Sequence, residues 1–202
     1  MNKFLVIILS ISFSFLLNTN NYASENTNKI AILVNDNVIT NYDIEQRVKI
    51  FAILNQMQIT PENSSIITSN IVDELIDALL KTEEIKEYDI NIGSSDLDYY
   101  ENQYFRSRGL DKKVIFELMK INNININEFY EMLYNDIAWQ TLIGRLYYRV
   151  TSISDEEIEE LMKNDPELTI ELAEKIIMDK QLALKGSKML RDLRSEATIE
   201  YK

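Results

Sequence analysis

The sequence predicts a mainly α fold in which a small β-sheet joins the two ends of the chain. Three observations predict it. With 4 Gly and 2 Pro in 202 residues the chain has few breakers, so long helices are expected. The segment Lys29 to Val48, KIAILVNDNVITNYDIEQRV, reads as strand, turn, short strand and capped helix. The tail Ala197 to Lys202, ATIEYK, reads as a terminal strand. A two-stranded hairpin is marginal in water, so the tail is expected to pair with Ile30–Val34 and complete the sheet.

Each element has a local reason. Ile30, Ile32 and Val34 alternate with Ala31 and Leu33, and β-branched content favours a strand. Asn35-Asp36-Asn37 tolerates a tight reversal, after which Val38 and Ile39 pair back. Thr40 is placed as an N-cap, with Asp43 at the third helical position completing a capping-box-like pair. The first helix is expected to reach about Met57, with Ile44, Val48, Phe51, Ile53 and Leu54 on its apolar face. Asn63-Ser64-Ser65 is read as the cap of a second helix ending near Tyr88, with Ile67, Ile71, Leu75, Ala78, Thr82 and Ile85 at helical spacing.

Ser94 or Ser95 caps a third helix through about Arg108, and Gly109 fits the position just past its end. Asp111 caps a short fourth helix carrying Val114, Phe116, Leu118 and Met119. A polar turn, Asn122 to Asn127, leads to a long helix from Glu128 to about Val150, with Phe129, Leu133, Ile137, Thr141 and Gly144 on one side. Ser154 with Glu157 is a full capping box for a helix ending near Asn164. Asp165-Pro166 signals the start of the last helix, to about Ser195, with Gly186 as its weak point.

The first residues read as an export signal. Lys3 is followed by an apolar run of 14 residues, Phe4 to Leu17, and a polar stretch ending Tyr22-Ala23-Ser24. The run is short of the roughly 20 residues a spanning helix needs. Cleavage after Ala23 is expected; an uncleaved anchor is the alternative. The domain organisation is thus a signal over 1–23 and one domain over 24–202, placed outside the cytoplasm without stable membrane insertion. The net charge of −12 becomes −13 once the one Lys of the signal is removed. Such a charge disfavours nucleic acid as a partner.

There is no Cys and no His. The commonest general base, the usual zinc ligands and Ser-His or Cys-His nucleophile pairs are therefore absent. The acidic run Asp155-Glu156-Glu157 reads as a helix first turn favoured by the dipole rather than a metal site. Asp73, Glu74 and Asp77 read as solvent-facing charge. No catalytic residue, metal or cofactor is expected.

The segment AILVNDNVITNYDIEQRV resembles the N-terminal signature of the SurA family of periplasmic chaperones and parvulin-type prolyl isomerases. VDELIDALLKTEEIKEYDINIGSSDLD resembles the family's next helices, ISDEEIEELMK the approach to its isomerase domain, and MLRDLRSEATIEYK its extreme C-terminus. The resemblance implies a multi-helix chaperone core, its N-terminal part 28–164 completed by the helix and strand of 166–202. Where the family inserts parvulin domains, this chain has only Asp165-Pro166-Glu167. Isomerase activity, which resembles the work of a His-containing cleft, is not implied. An isomerase with an unusual His-free site is the weaker alternative.

What the resemblance implies is an ATP-independent holdase for unfolded outer-membrane β-barrel proteins or other exported polypeptides. Such a protein needs an exposed apolar groove, for which aromatics and Met are suited. The candidate peptide-binding residues are Tyr99, Tyr100, Tyr104, Phe105, Met119, Phe129, Tyr130, Met132 and Trp139. Any one of them taken alone fits a core position better; the case for a surface rests on the group, since paired neighbours such as Tyr99-Tyr100 cannot both face inward on one helix. An adaptor docking one folded partner is the competing reading. A homodimer exchanging the C-terminal strand is compatible with that strand's place in the chain.

Overall fold

The computed structural model describes residues 29–165 and 167–202. The signal read over 1–23 and the Pro166 start signal lie outside the described residues. The strands are β1 (Ile30–Val34), β2 (Asn37–Thr40) and β3 (Ile199–Tyr201). The helices are α1 (Asn41–Leu54), α2 (Pro61–Glu87), α3 (Ser94–Ser107), α4 (Lys112–Ile121), α5 (Ile126–Tyr147), α6 (Asp155–Asn164) and α7 (Ile170–Glu196). A single 3₁₀ turn, Tyr148–Val150, follows α5. The fold is mainly α with one small sheet, as the sequence predicts.

The sheet has the order β2-β1-β3, antiparallel throughout. Val34 pairs with Asn37 across the turn and with Ile199 on the other side. Asn35 takes a left-handed φ of 51°, a conformation Asn tolerates better than most residues. It then clamps the tail from both directions. Its N–H donates to the Thr198 carbonyl at 2.9 Å, and its side-chain oxygen accepts from the Thr198 N–H at 3.0 Å. Ile32, Val34 and Ile39 bury one face of the sheet against Ile76 and Leu80 of α2, with Leu190 and Leu193 of α7 at the edge. The chain ends are thereby joined.

Four helices end in the same way. Gln56, Asp89, Gly109 and Asn123 follow α1, α2, α3 and α4 with left-handed φ between 49° and 62°. In each case the next N–H reaches back five residues. Met57 donates to Ala52, Ile90 to Ile85, Leu110 to Phe105 and Ile124 to Met119, all at 2.9–3.0 Å. This is the Schellman closure, which uses up helix-end carbonyls and tucks an apolar residue beneath the last turn. Sequence reading finds it at Gly109 only, because the other three positions lack Gly.

The helix starts also refine the expected boundaries. α2 begins at Pro61 rather than after Asn63-Ser64-Ser65. Pro is suited to the first helical position, and Thr60 is the N-cap, with Asn63 Oδ1 accepting from the Thr60 N–H at 2.8 Å. α5 starts two residues early, capped by Asn125, and stops at Tyr147. α7 starts at Ile170, where Thr169 Oγ1 accepts from the Leu172 N–H. The preceding Asp165 closes a turn, accepting from Glu167 and Leu168. The capping boxes at Thr40–Asp43 and Ser154–Glu157 are formed as read.

Candidate functional site

Two apolar bodies meet along α5. The first lies between α1, α3, α4 and the start of α5. Phe129, fully buried, stands within 5.7–5.9 Å of the rings of Tyr104, Phe105, Phe116 and Tyr130. Ile50, Ile115, Met119, Ile124 and Leu133 fill the space around them. The Tyr104 and Phe116 rings meet Phe129 edge-on, which suits the aromatic quadrupole, and the Phe105 and Tyr130 rings are tilted against it. Two polar links hold the body shut. Gln46, itself buried, accepts from the Asn125 N–H at 2.9 Å and so fixes α1 to the start of α5. Lys112 donates to the buried Glu101 at 2.5 Å.

The second body lies between α5, α7 and the end of α2. Ile85, Ala138, Leu142 and Ile143 are buried, with Leu182, Met189, Leu190 and Leu193 of α7 against them. Here the packing leaves an open groove of about 620 Å³. Its apolar lining is Trp139 and Ile143 of α5 and Leu182, Ala183 and Leu190 of α7; Lys81, Gln140, Asp179 and Ser187 supply the polar lining. Lys81 Nζ lies 5.9 Å from the Trp139 ring centroid, within reach of a cation–π attraction.

A second cleft, about 480 Å³, opens between α1, α2, α3 and α5. It combines Phe51, Leu54 and Met132 with Arg47, Glu74, Arg108 and Asp136. Arg47 pairs with Glu74 at 2.5 Å, and the Arg108 guanidinium stacks 3.7 Å above the Tyr104 ring. Burial raises the Asp136 carboxyl above its ordinary value, with Lys81 the foremost opposing charge. Burial also raises the phenols of Tyr100 and Tyr104. The charges here offset one another and leave a cleft with no strong preference for sign.

The nine candidate residues separate. Phe105, Met119 and Phe129 are core, sealed inside the first body, and Tyr104, also buried, turns a ring face to Arg108 at the second cleft. Although Tyr104 and Phe105 are neighbours, both are buried, because both rings pack on Phe129 of α5 while Arg108 covers Tyr104 and Phe116 of α4 meets Phe105. Tyr100 and Met132 lie at the edge of that body, and Tyr130 contacts the Phe116 and Phe129 rings while half-buried. Tyr99 is 67% exposed. Trp139 alone belongs to the open groove. Reading by residue type missed Gly186, Leu182 and Leu190. The available signal was Gly186 itself, a glycine kept inside an apolar helix stretch.

The acidic groups are otherwise engaged. Arg194 of α7 bridges Asp73 and Asp77, with Nη1 to Asp77 at 2.7 Å. Glu157 completes its cap and accepts from Gln181 of α7 at 3.0 Å. Among the described residues no group of three or more His, Cys, Asp or Glu is placed to hold a metal ion. Among the same residues no helix is long and apolar enough to cross a membrane.

A helical body whose N-terminal hairpin is closed by the C-terminal strand, with a groove beside the closing helix, defines a mainly α core domain. The chain belongs to the SurA-like N-terminal domain family, whose model matches residues 1–143. Among solved structures it is similar to one from work on the virulence factor PEB4 and the periplasmic protein Cj1289, two SurA-like chaperones of Campylobacter jejuni. That match has 18% identity and a TM-score of 0.38, and covers 69% of this chain. The chain spans about half, 50%, of the solved chain's length. No curated protein matches.

Proposed function

We propose that the protein is an exported, ATP-independent chaperone that holds unfolded outer-membrane β-barrel proteins in the periplasm, without prolyl isomerase activity. The observation that carries the reading is the open apolar groove of α5 and α7, about 620 Å³, in a member of the SurA-like N-terminal domain family. Its volume falls within the roughly 300–1,000 Å³ of ligand clefts. Exposed apolar side chains elsewhere support the same reading. Val114, Leu118 and Ile121 form one stripe along α4, and Ile170, Leu172 and Ile176 gather near the start of α7. Large unpartnered apolar surface marks an interaction role. The acidic net charge keeps such a surface soluble.

The test is light scattering of a urea-unfolded outer-membrane barrel protein diluted with and without the chain Ser24 to Lys202. Suppression of aggregation near equal stoichiometry, without nucleotide, is expected. Undiminished scattering would remove the holdase reading. A single stoichiometric partner in a pull-down would then favour an adaptor. A proline-limited refolding assay should run at the uncatalysed rate.

A further inference from the structure

The cleft between α1, α2, α3 and α5 holds two opposite charges that do not meet. Asp136 of α5 and Arg108, at the end of α3, both line it. Among the described residues neither side chain takes part in a hydrogen bond or an ion pair. The other polar groups of the cleft are engaged. Arg47 pairs with Glu74 at 2.5 Å, and Asn55 donates to the Phe51 carbonyl at 2.8 Å.

Both free charges are set in place. The Arg108 guanidinium is stacked 3.7 Å from the Tyr104 ring centroid. A stacked guanidinium keeps its face on the ring and its N–H donors at the edge. Asp136 is half-buried on α5. Burial holds its carboxyl above the ordinary value, and Lys81 of α2, the foremost opposing charge, forms no ion pair with it. A charge withdrawn from water without a partner is costly. A ligand that supplies the partner recovers that cost.

The cleft's chemistry selects its occupant. An anion would meet the Asp136 carboxylate, and a cation would meet Arg108. A neutral apolar molecule would leave both charges unpaired. Phe51, Leu54 and Met132 add an apolar wall. The volume, about 480 Å³, lies within the roughly 300–1,000 Å³ of ligand clefts. What fits is one small molecule carrying an ammonium, a carboxylate and an apolar side chain. A polypeptide segment carries neither backbone charge along its length and only one at each end.

We propose that this cleft binds a free α-amino acid with an apolar side chain, its ammonium on Asp136, its carboxylate on Arg108 and its side chain against Phe51, Leu54 and Met132. The site is a cleft other than the α5–α7 groove, and the proposal does not rest on the holdase reading. A bound amino acid would tie the end of α3 to α5. It would therefore raise the melting temperature of the chain as its concentration passes its Kd.

The probe is L-leucine, titrated into the full chain by calorimetry, with thermal unfolding alongside. Saturable binding of one leucine per chain is expected, with a Kd of about 0.05–1 mM. N-acetyl-leucine lacks the ammonium and leucinamide the carboxylate; each should bind about ten-fold more weakly or worse. Glycine has both charges and no side chain, and should lose about as much. Asp136→Asn should weaken leucine about ten-fold while leaving N-acetyl-leucine unchanged. Arg108→Gln should weaken leucine similarly while leaving leucinamide unchanged. Circular dichroism and melting show that both variants are folded.

No saturable binding of leucine or phenylalanine up to about 10 mM would overturn the proposal. Leucine bound with undiminished affinity by Asp136→Asn or Arg108→Gln would overturn it too. So would N-acetyl-leucine or leucinamide bound as tightly as leucine. A leucyl-leucine dipeptide that bound more tightly than leucine would reject the free amino acid as the ligand.

Discussion

The two ends of α5 carry similar residues to opposite outcomes. Near its start, Phe129 and Leu133 are sealed by α1, α3 and α4, and a ring is met on nearly every side. Further along, Trp139 and Ile143 lie between α7 and the end of α2, and a groove remains beside α7. The difference is one of coverage. Where three helices converge, an aromatic side chain is core; where α7 crosses at a glycine beside α2, the same kind of side chain lines an open groove. Aromatic content therefore says little about a binding surface until the second layer of packing is known.

That contrast can be broken most directly at Phe129. Phe129→Ala should destabilise the fold by about 3–5 kcal/mol, as expected for a fully buried ring whose cavity cannot collapse. Urea unfolding checks it, and a loss under about 1 kcal/mol would show that the first body is not closed.

Lys112→Ala tests the same body at its polar seal. Glu101 is buried, its Oε2 held by Lys112 and its Oε1 without a partner. Leaving the carboxylate with no cation should cost about 1–3 kcal/mol, reduced toward the lower end because the Lys side chain is 41% exposed. A variant as stable as the parent would mean that solvent already reaches Glu101.

Arg194→Ala sharpens the comparison from the open side. Arg194 fastens α7 to Asp73 and Asp77 of α2. It is one-third exposed, so its loss should cost only about 0.5–1 kcal/mol. Hydrogen exchange should rise in α7 and β3 and stay unchanged around Phe129. Equal acceleration in both bodies would show that they open as one unit.

The smallest effect is expected at Asp136, in the cleft below the first body. Burial raises its carboxyl above the ordinary 3.8. Below that value the group is protonated whether folded or not, and the fold carries no penalty. As pH rises, the unfolded chain ionises first, and stability falls until the folded carboxyl has also ionised. Asp136→Asn removes that fall. Its melting temperature should exceed the parent's at about pH 7 and match it at about pH 3. A gain equal at both values would point to packing rather than charge.

Much of this fold is legible from the sequence, and for local reasons. Thr40 with Asp43 and Ser154 with Glu157 mark helix starts through side-chain hydrogen bonds spanning three residues. Ile32 and Val34 declare a buried strand face by their two-residue spacing. The need of a short hairpin for a third strand points to the tail, and β3 indeed pairs with β1. The helix ends at Gln56, Asp89 and Asn123 were not legible, because a left-handed residue other than Gly leaves no clear compositional mark. Nor was the site. Residue type proposed nine positions and could not separate Phe129 from Trp139, since both are aromatic on one amphipathic helix. Which is covered depends on helices far away in the chain, and Gly186, which looks like a weak point along α7, becomes a close crossing only when α5 is laid against it. Backbone hydrogen bonding and periodicity act over a few residues and can be read in order; coverage acts between helices and exists only once they pack.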